Sequence, residues 1–409
     1  MQGTRAHVTR RRVFLCVILL GAALEVVVGV AVLANDGSGS GGQLPRAVPL
    51  HPVAGSFEPD GRTLEDCDDP GCVEQAFGNV AFREGPTRAL ALLEEEFSDL
   101  TDPACHRVVH TIGSASLARN GGNVAKTFAQ GSSSCFSGYY HGVLERSLVS
   151  VRSRGAEELA RVARSVCQGR AVQVSLWLRF QCLHGLGHGL MITTGYTLPL
   201  SLDVCNRMRT PWEETTCNGG VFMENIATSY GVTSRWLRDD DPVYPCNAVA
   251  EEDKLKCYEL VTSRMLRVLD ADWEKTAQAC SEVERGWATA CFRSFARDVA
   301  TKARYEPAAV PPLCALARPY GYERECVSGA AGAITANHKS AAEGAALCRA
   351  APQAFRAQCY AEIGGFVVRV AAHGELRAGC RAITTRTREV SACVSGGQSY
   401  LRLIQARRA

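Results

Sequence analysis

Aromatic side chains, strand-forming runs and an excess of one charge are all scarce in this sequence. Aromatic residues make up 7% of the 409 residues, and alternating runs rich in Val, Ile or Thr are few, which argues against extended sheets. Without the four arginines and one glutamate of the first 34 residues, the 45 basic and 42 acidic side chains become 41 of each. This neutral remainder gives no electrostatic reason to expect a nucleic-acid partner.

Several familiar catalytic motifs are also missing. No Cys-x-x-Cys pair suggests a thiol oxidoreductase, and neither Gly-x-Ser-x-Gly nor a phosphate-binding Gly-Lys-Ser/Thr segment occurs. The segment from His184 to His188 reads His-Gly-Leu-Gly-His. It has glycine where a zinc metalloprotease of this spacing carries its catalytic glutamate, so that class is not predicted.

One long apolar run occurs near the N-terminus, over residues 13–34, with Glu25 as its only charge. About 20 apolar residues span the hydrocarbon core of a bilayer. The basic residues of segment 1–12 would stay in the cytoplasm, so the sequence predicts a single-pass membrane anchor with the rest of the chain outside. The small residues around Ala34 leave a second interpretation open, in which a cleaved signal releases a secreted protein.

The residues after the apolar run are rich in Gly, Ser and Pro, and over 35–62 they predict a flexible linker. The remainder divides into a histidine-rich part, 63–235, and a part with regularly paired cysteines, 236–409.

The cysteines indicate a repeat. Cys16 lies in the apolar run, and the other eighteen form an even number suited to disulfides in an oxidising compartment. Seven consecutive pairs have short spacing: Cys167/Cys182, Cys205/Cys217, Cys246/Cys257, Cys280/Cys291, Cys314/Cys326, Cys348/Cys359 and Cys380/Cys393. Their second members recur every 33–40 residues, which is the length of one helix–turn–helix unit. The prediction is an all-α, solenoid-like array of helical hairpins, each closed by a disulfide worth roughly 2–3 kcal/mol.

The first four exported cysteines fit this pattern less well. Cys67 and Cys72 would pair locally and Cys105 with Cys135 across a longer loop, but spacing alone leaves this pairing open.

Three pairs of metal-ligating residues have i,i+4 spacing in the histidine-rich part: His106/His110, His141/Glu145 and His184/His188. Such pairs share one face of a helix with Cβ atoms about 5–6 Å apart, which suits two ligands of one ion. His141, His188 and Met223 each lie six residues after a cysteine of their unit, so they are expected to be neighbours on adjacent helices. Met223 and Glu224 are further candidate ligands.

Imidazole together with carboxylate suits zinc, copper or iron, and a thioether would favour copper. The sequence therefore predicts a metal-binding, extracytoplasmic protein that is membrane-tethered and can be a metalloenzyme. Two alternatives stay open at this stage. The histidines can be polar groups satisfied within a tightly packed core, and the repeat surface can be a scaffold for a protein partner without any chemistry.

Overall fold

The computed structural model describes residues 56–97, 103–132, 134–149, 151, 156–229, 233–370 and 375–406. These residues form helices and connecting loops, and no strand occurs among them. The α-helices, numbered α1 to α20 in chain order, are Pro70–Arg83, Pro86–Glu96, Pro103–Arg119, Val124–Ala129, Gly138–Val149, Ala156–Val166, Arg170–Gln173, Leu176–Thr193, Leu198–Cys205, Pro211–Ile226, Glu251–Tyr258, Thr262–Val268, Trp273–Glu282, Ala288–Lys302, Val310–Cys314, Glu323–His338, Ala341–Ala350, Gln353–Val370, Leu376–Ile383 and Thr387–Gln405. The all-α prediction is confirmed for this part of the chain.

The predicted anchor, 13–34, and the basic segment 1–12 lie outside the described residues. Across the ranges given above, no helix is both long enough and apolar enough to cross a membrane.

The end of the predicted linker is packed. Phe57 is 7% exposed, its carbonyl accepts a hydrogen bond from Arg146, and Asn79 on α1 donates to Asp60 at 2.7 Å. Residues 56–62 are therefore attached to the folded body. Burial of the Phe57 ring stabilises this arrangement relative to a solvated linker.

The seven short cysteine pairs form disulfides as predicted, and so do Cys67 with Cys72 and Cys105 with Cys135. In most of the short pairs the first cysteine lies in or just after one helix and the second lies inside the next, as a stapled hairpin requires. Cys246 is an exception because it lies in the non-helical segment 233–250, and the pair Cys167/Cys182 is another because the short helix α7 lies between the two cysteines. That segment carries Pro242 and Pro245, and Asp241 accepts hydrogen bonds from the backbone of the residues that follow it, which favours turns over helix.

The second helix of each hairpin packs against the second helix of its neighbour. In the N-terminal half the order is α1, α3, α5, α8 and α10, and in the C-terminal half it is α14, α16, α18 and α20. One continuous group of buried apolar residues extends through the whole array, from Phe57 to Val394. The repeats thus share a core, as the solenoid prediction requires.

The array is not open, however, because its C-terminal end returns to its middle. Helix α18 contacts α8, and α20 contacts α10. The indole N–H of Trp212 donates to the hydroxyl of Tyr400 at 3.2 Å, and the Arg369 guanidinium lies 4.8 Å from the ring of Phe180 and 4.7 Å from that of Tyr400. The solenoid-like prediction did not include this contact, since a repeat period does not determine how strongly an array curls.

Candidate metal centre

Four neighbouring helices, α3, α5, α8 and α10, bring seven of the eight predicted site residues together: His106, His110, His141, Glu145, His184, His188 and Glu224. The ring centroids of the other four histidines lie 4.0–6.0 Å from that of His141. We refer to the five histidines as the histidine cluster. Met223 is half-buried and packs against the hydrophobic core.

The starts of two of these helices are fixed by their own sequence. The Ser175 side chain accepts a hydrogen bond from the backbone of Leu178 at the start of α8. At the start of α10, Thr210 accepts one from the backbone of Glu213 at 3.2 Å, and proline follows at the first helical position. Such caps each contribute about 1 kcal/mol and set where the helix begins, which places the cluster residues on the correct face.

Two glycines allow the helices to approach closely enough for the cluster to form. A Cβ atom added to Gly142 on α5 would collide with the carbonyl of His110 on α3. Likewise, a Cβ atom on Gly220 in α10 would collide with the carbonyl of His184 in α8. Glycine costs about 0.5–1 kcal/mol relative to alanine within a helix, and here it permits backbone contact beside the histidine side chains.

The first i,i+4 pair is held by α5 and by the turn that leads into it. Nδ1 of His106 lies 2.8 Å from the carbonyl oxygen of Cys135, and Nδ1 of His110 lies 2.6 Å from a carboxylate oxygen of Glu145. Because a carbonyl and a carboxylate only accept, both Nδ1 atoms carry protons. The Nε2 atoms of the two histidines then face each other at 3.0 Å.

The second pair repeats this arrangement. The backbone of Thr216 lies beside the His184 ring and favours its protonated form, and Nδ1 of His188 lies 2.8 Å from a carboxylate oxygen of Glu224. The Nε2 atoms of His184 and His188 are 3.4 Å apart. Each pair thus has one histidine oriented by the backbone and one by a buried glutamate.

His141 lies between the two pairs. Its ring stacks on that of His188, with centroids 4.0 Å apart and an angle of 15° between the planes, which confirms that these two residues are neighbours on adjacent helices. Both ring nitrogens of His141 are buried, and neither has a hydrogen-bond partner among the described residues.

Burial keeps most of the cluster uncharged. It lowers the pKa of His106 to about 3, with help from the neighbouring His110, and that of His184 to about 4, with help from Lys256. The pKa values of His141 and His188 are also lowered, by burial and then by the surrounding histidines. Neutral imidazole is the form that binds metal ions.

Two other groups, His110 and Glu224, behave differently. Burial opposes the charged form of His110, but the Glu145 carboxylate outweighs that effect and raises the pKa of His110. Burial raises the pKa of Glu224 to about 7, although hydrogen bonds from Ser229 oppose the shift. The cluster therefore contains groups that can hold a proton near neutral pH.

The Nε2–Nε2 distances within the two i,i+4 pairs suit transition metals. Two nitrogens bound to one ion at about 2.0–2.1 Å, with angles between 90° and the tetrahedral value, lie roughly 2.9–3.4 Å apart. The Nε2 separations of 3.0 and 3.4 Å within the two pairs fall in this range. Two triads have ligand atoms within 4.8 Å of one another, and both include His141: His106/His110/His141 and His141/His184/His188.

The two glutamates have a role that spacing did not predict. Glu145 and Glu224 contact the Nδ1 atoms of histidines instead of joining a triad in the described part of the chain. A carboxylate in this position fixes the ring orientation and makes the metal-facing nitrogen a stronger ligand.

Sequence reasoning also missed the residues that hold Glu224. The hydroxyl of Tyr196 donates to it at 2.8 Å, and the Ser229 hydroxyl donates at 2.6 Å. Both lie in turns after helix ends, with no spacing that relates them to the histidines. They could not have been identified from a linear motif.

The five histidines of the cluster differ in exposure. His110, His141 and His188 are only 1–2% exposed, whereas His106 and His184 are half-buried. Solvent thus reaches part of the first histidine of each pair. No protein-family model, curated protein or solved structure matches this chain. Its function must therefore be inferred from the chemistry of the cluster itself.

Proposed function

We propose that this chain is an extracytoplasmic protein that binds a transition metal ion at the histidine cluster. One observation carries the proposal: the Nε2 atoms of His106 and His110 face each other at 3.0 Å while both Nδ1 atoms are directed at acceptors. Two lone pairs in this arrangement repel unless a proton or a metal ion lies between them. The second pair repeats the arrangement, which favours a metal site over an accident of packing.

The all-nitrogen ligand set favours zinc, copper or iron over calcium and magnesium, which prefer oxygen. No cysteine joins the triads, because all eighteen cysteines of the ectodomain form disulfides. These disulfides also support an oxidising location outside the cytoplasm. The apolar segment 13–34 would tether the protein to a membrane, with the cluster on the outer side.

A role in catalysis is favoured over a purely structural one. A triad supplies three protein ligands and leaves a fourth position open, as in catalytic zinc sites, whereas structural sites are closed by four. The hairpins are already stapled by disulfides, so the fold does not need a metal for stability. His106 and His184 are the partly exposed members of the cluster, so a small molecule would reach the open position past them. An ion there would activate water or dioxygen.

The proposal is tested by metal analysis of the full chain, produced in an oxidising compartment and purified in detergent without chelator. Stoichiometric zinc, copper or iron is expected in the parent and in a His338→Ala control, since His338 lies far along the chain on α16. A His110→Ala/His188→Ala variant should keep its nine disulfides and helical circular dichroism but lose the metal. A parent that neither contains nor takes up metal would overturn the proposal and favour a protein-binding scaffold.

A further inference from the structure

His141 differs from the other members of the cluster in how its ring nitrogens are used. Each of the other four histidines has a backbone group or a carboxylate beside its ring, and in both i,i+4 pairs the Nε2 atoms face each other. Both nitrogens of His141 are buried and have no hydrogen-bond partner among the residues that the structure describes. His141 is also the residue common to both triads.

A single bound ion cannot satisfy His141. The two nitrogens of an imidazole ring point away from each other, so one ion can take only one of them. The other would remain buried without a partner, which costs about 1–3 kcal/mol. Two ions, one in each triad, would satisfy both nitrogens.

We propose that the cluster holds two transition metal ions and that His141 bridges them, supplying one ring nitrogen to each. This inference rests on the proposed function. One ion would be bound by His106, His110 and His141, and the other by His141, His184 and His188. Neutral His141 carries one N–H proton; when the second ion binds, that proton leaves to solvent and the ring becomes an imidazolate.

The repeated surroundings of the two pairs support two equivalent sites. Each pair has one histidine next to a backbone group of the following helix or of the turn that leads into it, and one histidine next to a glutamate of that helix. A site for one central ion would not need two histidine pairs with the same surroundings.

Charge balance supports the same conclusion. Two divalent ions close together repel strongly in a buried site. One buried carboxylate lies next to each triad, Glu145 next to the first and Glu224 next to the second. Their side chains are 1% and 0% exposed. Together with the imidazolate they supply three negative charges against four positive ones, which reduces the repulsion.

The experiment uses the full chain in detergent, stripped of metal and titrated with Cu²⁺ in steps up to two equivalents. We expect two Cu²⁺ ions per chain by elemental analysis after gel filtration. Because an imidazolate couples the spins of two Cu²⁺ ions, the integrated paramagnetic resonance signal should correspond to far fewer than two spins per chain. The His338→Ala control should behave identically.

Two variants complete the test. His141→Ala should abolish the spin coupling, and a His184→Ala/His188→Ala variant should retain one ion with a full, uncoupled signal of one spin per chain. The second variant leaves the first triad and its helices intact, so it remains informative if His141→Ala does not fold. Binding of one ion by the parent, or of two uncoupled ions, would overturn the bridge but leave the proposed function standing. Absence of any binding would overturn both.

Discussion

The imidazole rings of His141 and His188 stack with their centroids 4.0 Å apart, although the two residues belong to different helices, α5 and α8. Two imidazolium ions at this separation would repel each other in a buried site. Burial lowers the pKa of both residues, so the stack consists of neutral rings. The packing of α5 against α8 is therefore compatible only with neutral His141 and His188, and neutral imidazole is the form that binds metal ions.

Replacing Glu224 with glutamine should weaken metal binding. Gln keeps the size of the side chain but removes the charge that orients His188 and strengthens it as a ligand, and such changes cost about 10–100-fold in affinity. The measurement is competition with a chelator of known affinity. Glu389→Gln is the matched control, because Glu389 is also buried and paired but lies on α20. Equal affinities for the two variants would contradict the role given to Glu224.

The Gly142→Ala substitution should destabilise the protein and disturb the cluster. The added methyl group would meet the carbonyl of His110, and overpacking of this kind costs about 1–3 kcal/mol. Urea unfolding with the disulfides intact measures the loss, and metal titration measures the effect on the cluster. Gly61→Ala has open space around the new Cβ atom and should change neither. An unchanged urea midpoint for Gly142→Ala would show that α3 and α5 can separate without cost.

The metal-free protein should lose stability as the pH falls from 7 to 5. The pKa values of His106 and His184 are about 3 and about 4 in the folded state, against about 6.5 when unfolded. The unfolded chain therefore binds more protons below pH 6.5, which lowers the free energy of unfolding. The raised pKa values of His110 and Glu224 act in the opposite direction, but four histidines with lowered values outnumber them.

Urea midpoints at pH 7 and pH 5 test this prediction. A His106→Ala/His184→Ala variant should show a smaller difference between the two pH values than the parent. A parent midpoint that is higher at pH 5 would mean that the opposing groups dominate.

Removing the Arg369 side chain should weaken the closure of the array. Its guanidinium contacts the rings of Phe180, Phe366 and Tyr400 at 4.4–4.8 Å, and cation–π contacts of this kind contribute about 0.5–2 kcal/mol each. Arg369→Ala should lower the free energy of unfolding by about 1–3 kcal/mol and increase hydrogen exchange in α18 and α20. Arg402→Ala, at an exposed position on α20, is the control. Equal exchange in the two variants would contradict the predicted effect.

The local features of the fold could be predicted from the sequence, and the long-range ones could not. Cys280 and Cys291 are separated by a short loop, which predicts that they pair. His106 and His110 are four residues apart on one helix, which predicts that their side chains are neighbours. The contact of Trp212 with Tyr400 joins residues 188 positions apart. It depends on small angles between successive helices that accumulate along the array, and these angles leave no pattern in the sequence.

The same distinction applies to the candidate site. Spacing identified Glu145 as a member of the cluster but suggested that it was a ligand, because an i,i+4 partner of His141 should share its face. The structure instead directs Glu145 at Nδ1 of His110 on the neighbouring helix. The close approach of α3 and α5 at Gly142 decides which side-chain atoms of the two helices are in contact. Spacing along one helix does not decide this.

Every one of the nine disulfides joins a cysteine to the next cysteine along the described chain. A polypeptide whose residues after the anchor leave the cytoplasm in chain order would expose its cysteines in this same order. Each could be oxidised with the partner that emerges immediately after it, before any later thiol competes. A simple oxidase would therefore be sufficient to produce the native pairing, with no isomerase needed to correct wrong bonds.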